Sequence, residues 1–109
     1  HPEVATRIMQ LLFSGAPASR PDGLIIADDN LMEYALSGVL SAGVNIPGDV
    51  QVVAHCNWPQ ALPSAVPIDR LGYDVRAFLR LACTTLRDIR QHITPPALQM
   101  IPATFEPEK

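Results

Sequence analysis

Apolar positions along the chain change period several times, and each change predicts an element. Val4, Ile8, Leu11 and Leu12 recur at helical spacing, with Pro2 tolerated in the first turn. Gly15 ends that helix, and Ala16 to Pro21 reads as a loop. Leu24-Ile25-Ile26-Ala27 is a continuous apolar run, the pattern of a strand buried on both faces of a parallel sheet. Asp28-Asp29-Asn30 then opens a helix, where carboxylates cap free N–H groups at the positive helix end. Asn30 and Glu33 have the spacing of a capping box. The helix runs to about Ala42, Gly43 supplies a left-handed C-cap, and Val44 packs back on the last turn.

Pro47-Gly48-Asp49 is a turn before a second β-rich run, Val50 to His55. Strand, helix and strand with short joins make a βαβ unit, parallel and right-handed. Asn57 to Pro67 holds three prolines and reads as irregular, with a short strand from Ile68 to Leu71. Asp74 caps a long helix in which Val75, Phe78, Leu79, Ala82, Leu86 and Ile89 share a face. Thr94-Pro95-Pro96 stops it, and Leu98 to Ile101 predicts a last short strand before a polar tail. The expected fold class is α/β: a parallel-sheet βαβ three-layer sandwich, one domain over 1–109.

Length and composition narrow the function. The 109 residues suit one domain, and 48% apolar content excludes a disordered tail. No apolar run approaches the roughly 20 residues of a membrane span. The start, His1-Pro2-Glu3, carries no initiator Met and no signal pattern, so upstream sequence is expected to be missing. A net charge of −3 argues against direct nucleic-acid binding, which depends on neutralising phosphates. Arg76, Arg80, Arg87 and Arg90 read as the solvated face of the long helix. Cys56 and Cys83 form no metal-ligand spacing. Two reduced thiols in a cytoplasmic protein fit best, with a disulfide left open. Ser14, Ser19, Ser37, Ser41 and Ser64 lie in no nucleophile-elbow pattern, and His1, His55 and His92 have no acidic partner in sequence. The chain is expected to be no enzyme and to use no metal or cofactor.

Three segments together resemble the lactose-repressor (LacI/GalR) family. Pro21-Asp22-Gly23-Leu24-Ile25-Ile26-Ala27-Asp28-Asp29 is similar to that family's "P-D-A-I-F-A-A-N-D". Ala42-Gly43-Val44-Asn45-Ile46-Pro47-Gly48-Asp49-Val50-Gln51-Val52-Val53 is similar to "A-G-L-R-V-P-E-D-V-S-V-V". Ile68 to Ala82, Thr94-Pro95-Pro96 and Ile101-Pro102 match the family's ending in order and spacing. The resemblance implies the C-terminal lobe of a periplasmic-binding-protein type I-like effector domain. The helix over 74–92 would pack on a missing N-terminal lobe, and DNA would be bound only by a missing helix-turn-helix. It further implies a homodimer and a sugar-like effector, sensed by a cytoplasmic regulator. A periplasmic solute-binding protein of the same fold and an α/β enzyme fragment are the alternatives.

Ligands of open parallel sheets bind beyond the carboxyl ends of the strands. Those ends are Asp28 and His55-Cys56-Asn57. The family's "N-D" and "F-D-D" supply polar effector contacts there, but this chain has Asp28 for Asn and Cys56 for the usual Asp. The effector-binding candidates are therefore Asp28, Cys56, Asn57, Trp58 and Tyr73. Each has a plainer role: helix cap for Asp28, core filler for Cys56, cover of the sheet end for Trp58, packing for Tyr73. Asp29 reads more as a cap than as a ligand contact. His55 and Cys56 point to opposite strand faces and cannot share a metal. Apolar residues cover roughly 240° of the helix from Asn30 to Ala42, more than one sheet contact needs. Leu31, Met32, Ala35 and Val39 are the expected dimer interface, as the family's pairing through this helix implies. The long last helix would be left uncovered here, and the chain is expected to hide its face by repacking or by swapping between copies.

Overall fold

A computed structural model describes residues 1–106. Helix α1 spans Pro2–Phe13, α2 Met32–Ser41 and α3 Val75–Arg90. Strands β1 (Gly23–Ile26), β2 (Gln51–Trp58) and β3 (Asp69–Asp74) form one parallel sheet in the order β1-β2-β3. The α/β class and the βαβ unit are as expected. Both later strands run longer than their patterns suggest, because pairing continues to Trp58 against Asp74.

One face of the sheet carries the core. Val52, Ala54, Cys56 and Trp58 alternate inward along β2. Phe13 of α1 and Met32, Ala35, Leu36 and Val39 of α2 share one core with Val52, Ala54, Ile26, Val44, Ile46 and Val50. Gly38 is where the two helices meet: a Cβ there would lie 2.7 Å from Met9 Cβ and closer still to the Thr6 carbonyl oxygen. Thr6 Oγ1 donates to the Tyr34 carbonyl at 3.0 Å beside this crossing. Gly43 adopts the left-handed conformation (φ 79°) that ends α2, and Val44 is buried behind it.

The opposite face is only partly covered: Val53, His55, Leu71 and Tyr73 are half-buried. Ile25 is 81% exposed, so β1 is buried on one side only, not on both. Helices α1 and α2 form one layer, and the third layer of the expected sandwich is reduced to α3, which reaches the sheet where Phe78 meets Tyr73. No α3 residue is buried, and Phe78, Leu79, Leu86 and Ile89 are half exposed. The chain thus does not hide this face by repacking on itself. Its Cα radius of gyration, 18.3 Å, far exceeds the ~13 Å of a compact chain this long.

Three further expectations are corrected. Met32, Ala35 and Val39 are 3%, 5% and 0% exposed within their own chain, so they have almost no surface left for a partner. Their apolar arc is wide because α2 meets both the sheet and α1, and Leu31 alone of the four keeps partial exposure. The cap before α2 is Asp28, whose carboxylate accepts from Asn30 N and Nδ2 at 3.0 Å each; Asn30 itself sits inside a 3-10 turn, Asp29–Leu31. Leu98 to Ile101 is no strand: it runs beside α3, with Gln99 against Thr85, and among the described residues the nearby pairing is an antiparallel bridge from Thr104 to Gly72. Part of the polar tail, 107–109, lies outside the described residues.

Candidate functional site

A cleft of about 560 Å³ opens beyond the carboxyl ends of the strands, within the usual size of small-molecule sites. The 3-10 turn after β1 brings Asp29 to it. The end of β2 brings Asn57 and Trp58, and the irregular segment after it brings Pro59, Gln60 and Leu62. The first turn of α3 brings Val75 and Arg76. The lining therefore mixes a carboxylate, two amides and a guanidinium with an indole and two aliphatic walls. This is a set that hydrogen-bonds hydroxyl groups and stacks against the apolar side of a ring.

Several contacts hold these groups. His55 Nε2 lies 3.2 Å from Asn57 Oδ1, which ties the amide oxygen to the strand and leaves the NH₂ group free to donate. Trp58 is 7% exposed, and its Nε1 donates to the Thr104 carbonyl at 3.1 Å. It thus covers the sheet end and lines the cleft at once. Arg70 donates to the Leu62 carbonyl at 2.8 Å, pinning the irregular segment. Asp74 caps α3 by accepting from Arg76 N at 2.8 Å and Ala77 N at 3.4 Å. Desolvation of this carboxyl acts upward, but the two amides with the Arg76 and Arg80 charges together outweigh it and hold its pKa below the ordinary value.

Of the five sequence candidates, Asn57 and Trp58 line the cleft. Asp28 is spent on its cap, and the neighbouring Asp29 faces the cleft instead. Cys56 is buried, 3% exposed, on the same side of β2 as Val52 and Ala54. Its thiol pKa is pushed up by burial, with Arg70 opposing and Asp29 reinforcing the shift. A backbone reason keeps the site tight here: Gly72 presses directly on the Cys56 carbonyl, where no Cβ fits. Tyr73 lies beside Asn57 across the β2–β3 pair but turns to His55 and Phe78, with ring centroids 6.1 and 6.0 Å away. Sequence reasoning missed Asp29, Gln60, Leu62, Val75 and Arg76. The "N-D" segment held a signal for Asp29, and the cap at Asp74 held one for the α3 residues that follow it. Among the described residues no group of three or more His, Cys, Asp or Glu side chains is placed to hold a metal.

The periplasmic binding protein-like domain model matches residues 2–106. The lactose operon repressor of Rhizobium radiobacter is 30% identical over 83 residues, covering 71% of this chain and 74% of that protein. Two crystal structures of a LacI family transcriptional regulator from Lactobacillus casei superpose on 99% of the chain at 18% identity. One, with bound sucrose, has a TM-score of 0.75; the other, with bound glucose, has 0.76. The chain spans only 40% and 38% of the length of those two chains. From the strand-end cleft, the shared fold and the match along nearly its whole length, the chain belongs to the periplasmic binding protein-like domain family, among the effector-binding domains of LacI/GalR regulators.

Proposed function

We propose that this chain is the ligand-sensing part of a DNA-binding transcriptional regulator, and that its cleft takes a sugar or similar polyhydroxylated effector. One observation carries the reading: Asp29, Asn57, Gln60 and Arg76 converge with Trp58, Leu62 and Val75 at the strand ends. Asp29 accepts from hydroxyls, Asn57 donates through its free NH₂, and Trp58 offers an apolar wall. The sugars held by the Lactobacillus casei regulators support this ligand class.

The protein works without catalysis, by population shift. An effector bound between this lobe and a second one favours one closure state, which changes the placement of distant DNA-binding heads. The bare apolar face of α3 is the surface on which the second lobe packs, and the regulator acts in the cytoplasm as a homodimer. No described helix is long and apolar enough to cross a membrane. With Met32, Ala35 and Val39 committed to the core, pairing falls to other surfaces.

Calorimetric titration of the intact regulator with glucose, sucrose and a nucleoside panel tests the effector. Micromolar to millimolar binding of a sugar is expected. Asp29→Asn is expected to weaken it about 10- to 100-fold, as removal of a charge-assisted acceptor does. Sugar binding that is absent, or indifferent to Asp29, overturns the reading. A monomer by light scattering at micromolar concentration overturns the homodimer.

A further inference from the structure

Two opposite charges line the strand-end cleft without meeting. Asp29 comes from the turn after β1, and Arg76 from the first turn of α3. Among the described residues they form no ion pair with each other. Asp29 is half-buried, and its carboxylate has neither a hydrogen bond nor an ion pair among those residues. Arg76 is almost as free. Its Nε lies 3.7 Å from Asp74 Oδ1, beyond hydrogen-bond length. That oxygen is already committed to the backbone amides of Arg76 and Ala77. The guanidinium therefore keeps its forked Nη edge for an outside acceptor.

The neighbouring polar groups favour the same kind of ligand. Asn57 Oδ1 is engaged by His55 Nε2 at 3.2 Å, so this amide offers the cleft its NH₂ donor and not its acceptor. Asn57 also stands where the "F-D-D" motif has its second carboxylate, so that negative charge is missing from the strand end. Gln60 is held by its backbone N–H to the Asn57 carbonyl at 3.0 Å and adds a side-chain amide that can turn either way. Other charges around the strand ends are already engaged: Asp28 with Asn30, Arg70 with the Leu62 carbonyl, Asp74 with the amides of α3.

A ligand that meets Asp29 and Arg76 together carries an anionic end and a hydroxylated end. A neutral hydroxyl at Arg76 would take one N–H and leave the positive charge unmet. A carboxylate or phosphate takes two N–H groups in parallel, the strongest arrangement open to an arginine. Hydroxyls suit Asp29, which would repel an anion, so the two charges also set which way round the ligand lies. Trp58, Leu62 and Val75 supply an apolar wall for its ring.

We propose that the cleft selects an anionic sugar derivative: a pyranose whose acidic group is held by Arg76 with the Asn57 NH₂ beside it, and whose hydroxyls donate to Asp29. The inference rests on the effector reading above and narrows its ligand class. Carboxylate and phosphate share the chemistry that Arg76 recognises, and the test separates them.

Calorimetric titration of the intact regulator compares four probes that share one ring: glucose, glucuronate, its neutral amide glucuronamide, and glucose 6-phosphate. Glucuronate or glucose 6-phosphate is expected to bind at least about tenfold more tightly than glucose, and the tighter of the two identifies the acid. Glucuronamide, with the shape of glucuronate but no charge, is expected to fall within about threefold of glucose. Arg76→Gln is expected to bring the ratio of the glucose and anion dissociation constants to about one. Asn57→Asp, which returns a carboxylate to the strand end, is expected to invert the preference. Raising salt from about 0.02 to about 1 M reads the same charge without a variant, and should shrink the preference about fivefold. Glucose binding with no preference for either anion overturns the anionic class and leaves the sugar reading standing. So does a preference shared by glucuronamide, or one that survives Arg76→Gln or high salt. Failure of all four probes to bind overturns both.

Discussion

At Asp28 and Asp29 one step along the backbone separates a cap from a cleft-lining carboxylate. Asp28 holds the entrance of the 3-10 turn through two hydrogen bonds to Asn30, and that turn carries Asp29 to the cleft. Strand parity separates Cys56 from Asn57 in the same way, one facing the core and the other the cleft. Their difference in access is measurable. With its thiol buried and its pKa raised, Cys56 should alkylate at least about tenfold more slowly with iodoacetamide than exposed Cys83; equal rates would mean the core face opens freely. Gly72→Ala forces a methyl group into the Cys56 backbone and should cost about 1–3 kcal/mol in a urea melt. Asp74 has a folded pKa below its unfolded value, so its contribution is present above the unfolded value near ~3.9 and is lost as pH falls through the folded one. Acid titration by circular dichroism should show helical signal lost in that range, and Asp74→Asn should remove the pH-dependent part.

The three helices differ less in pattern than in what they meet. All carry apolar residues at helical spacing, yet α2 buries Val39 completely while α3 buries nothing. Val39→Ala should therefore cost about 2–3 kcal/mol, whereas Leu86→Ala, at 62% exposure, should stay within ~0.5 kcal/mol in the same melt. A large loss at Leu86 would mean that α3 is covered in solution. How far the elements could be read from sequence follows the same division. The C-cap at Gly43, the cap at Asp74 and the run through β2 depend on neighbours a few residues away and were legible. Leu98 to Ile101 has the composition of a strand, but β3 accepts only the single Thr104 bridge at its outer edge, and the segment lies along α3 instead.

For the whole molecule, separation is the dominant feature. Two helices and three strands share a core, and α3 leads away from it with its first turn at the cleft and its apolar face bare. Solution scattering should return a radius of gyration near 18.3 Å; a value near ~13 Å would show α3 folded back on the sheet. Val75 and Arg76 of the cleft lining and the bare apolar face belong to the same helix, which is the link that the proposed closure would use. The sequence by itself determined the order of β1, β2, β3 and the three helices, the caps at Gly43 and Asp74, and the family, since these rest on local periodicity, short-range hydrogen bonding and segment order. Only the tertiary structure decided which apolar side of α1 is buried, that α2 spends its stripe on the core, and that Asp29 rather than Asp28 or Cys56 reaches the cleft. Periodicity states which residues share a face; what that face meets depends on how distant segments pack.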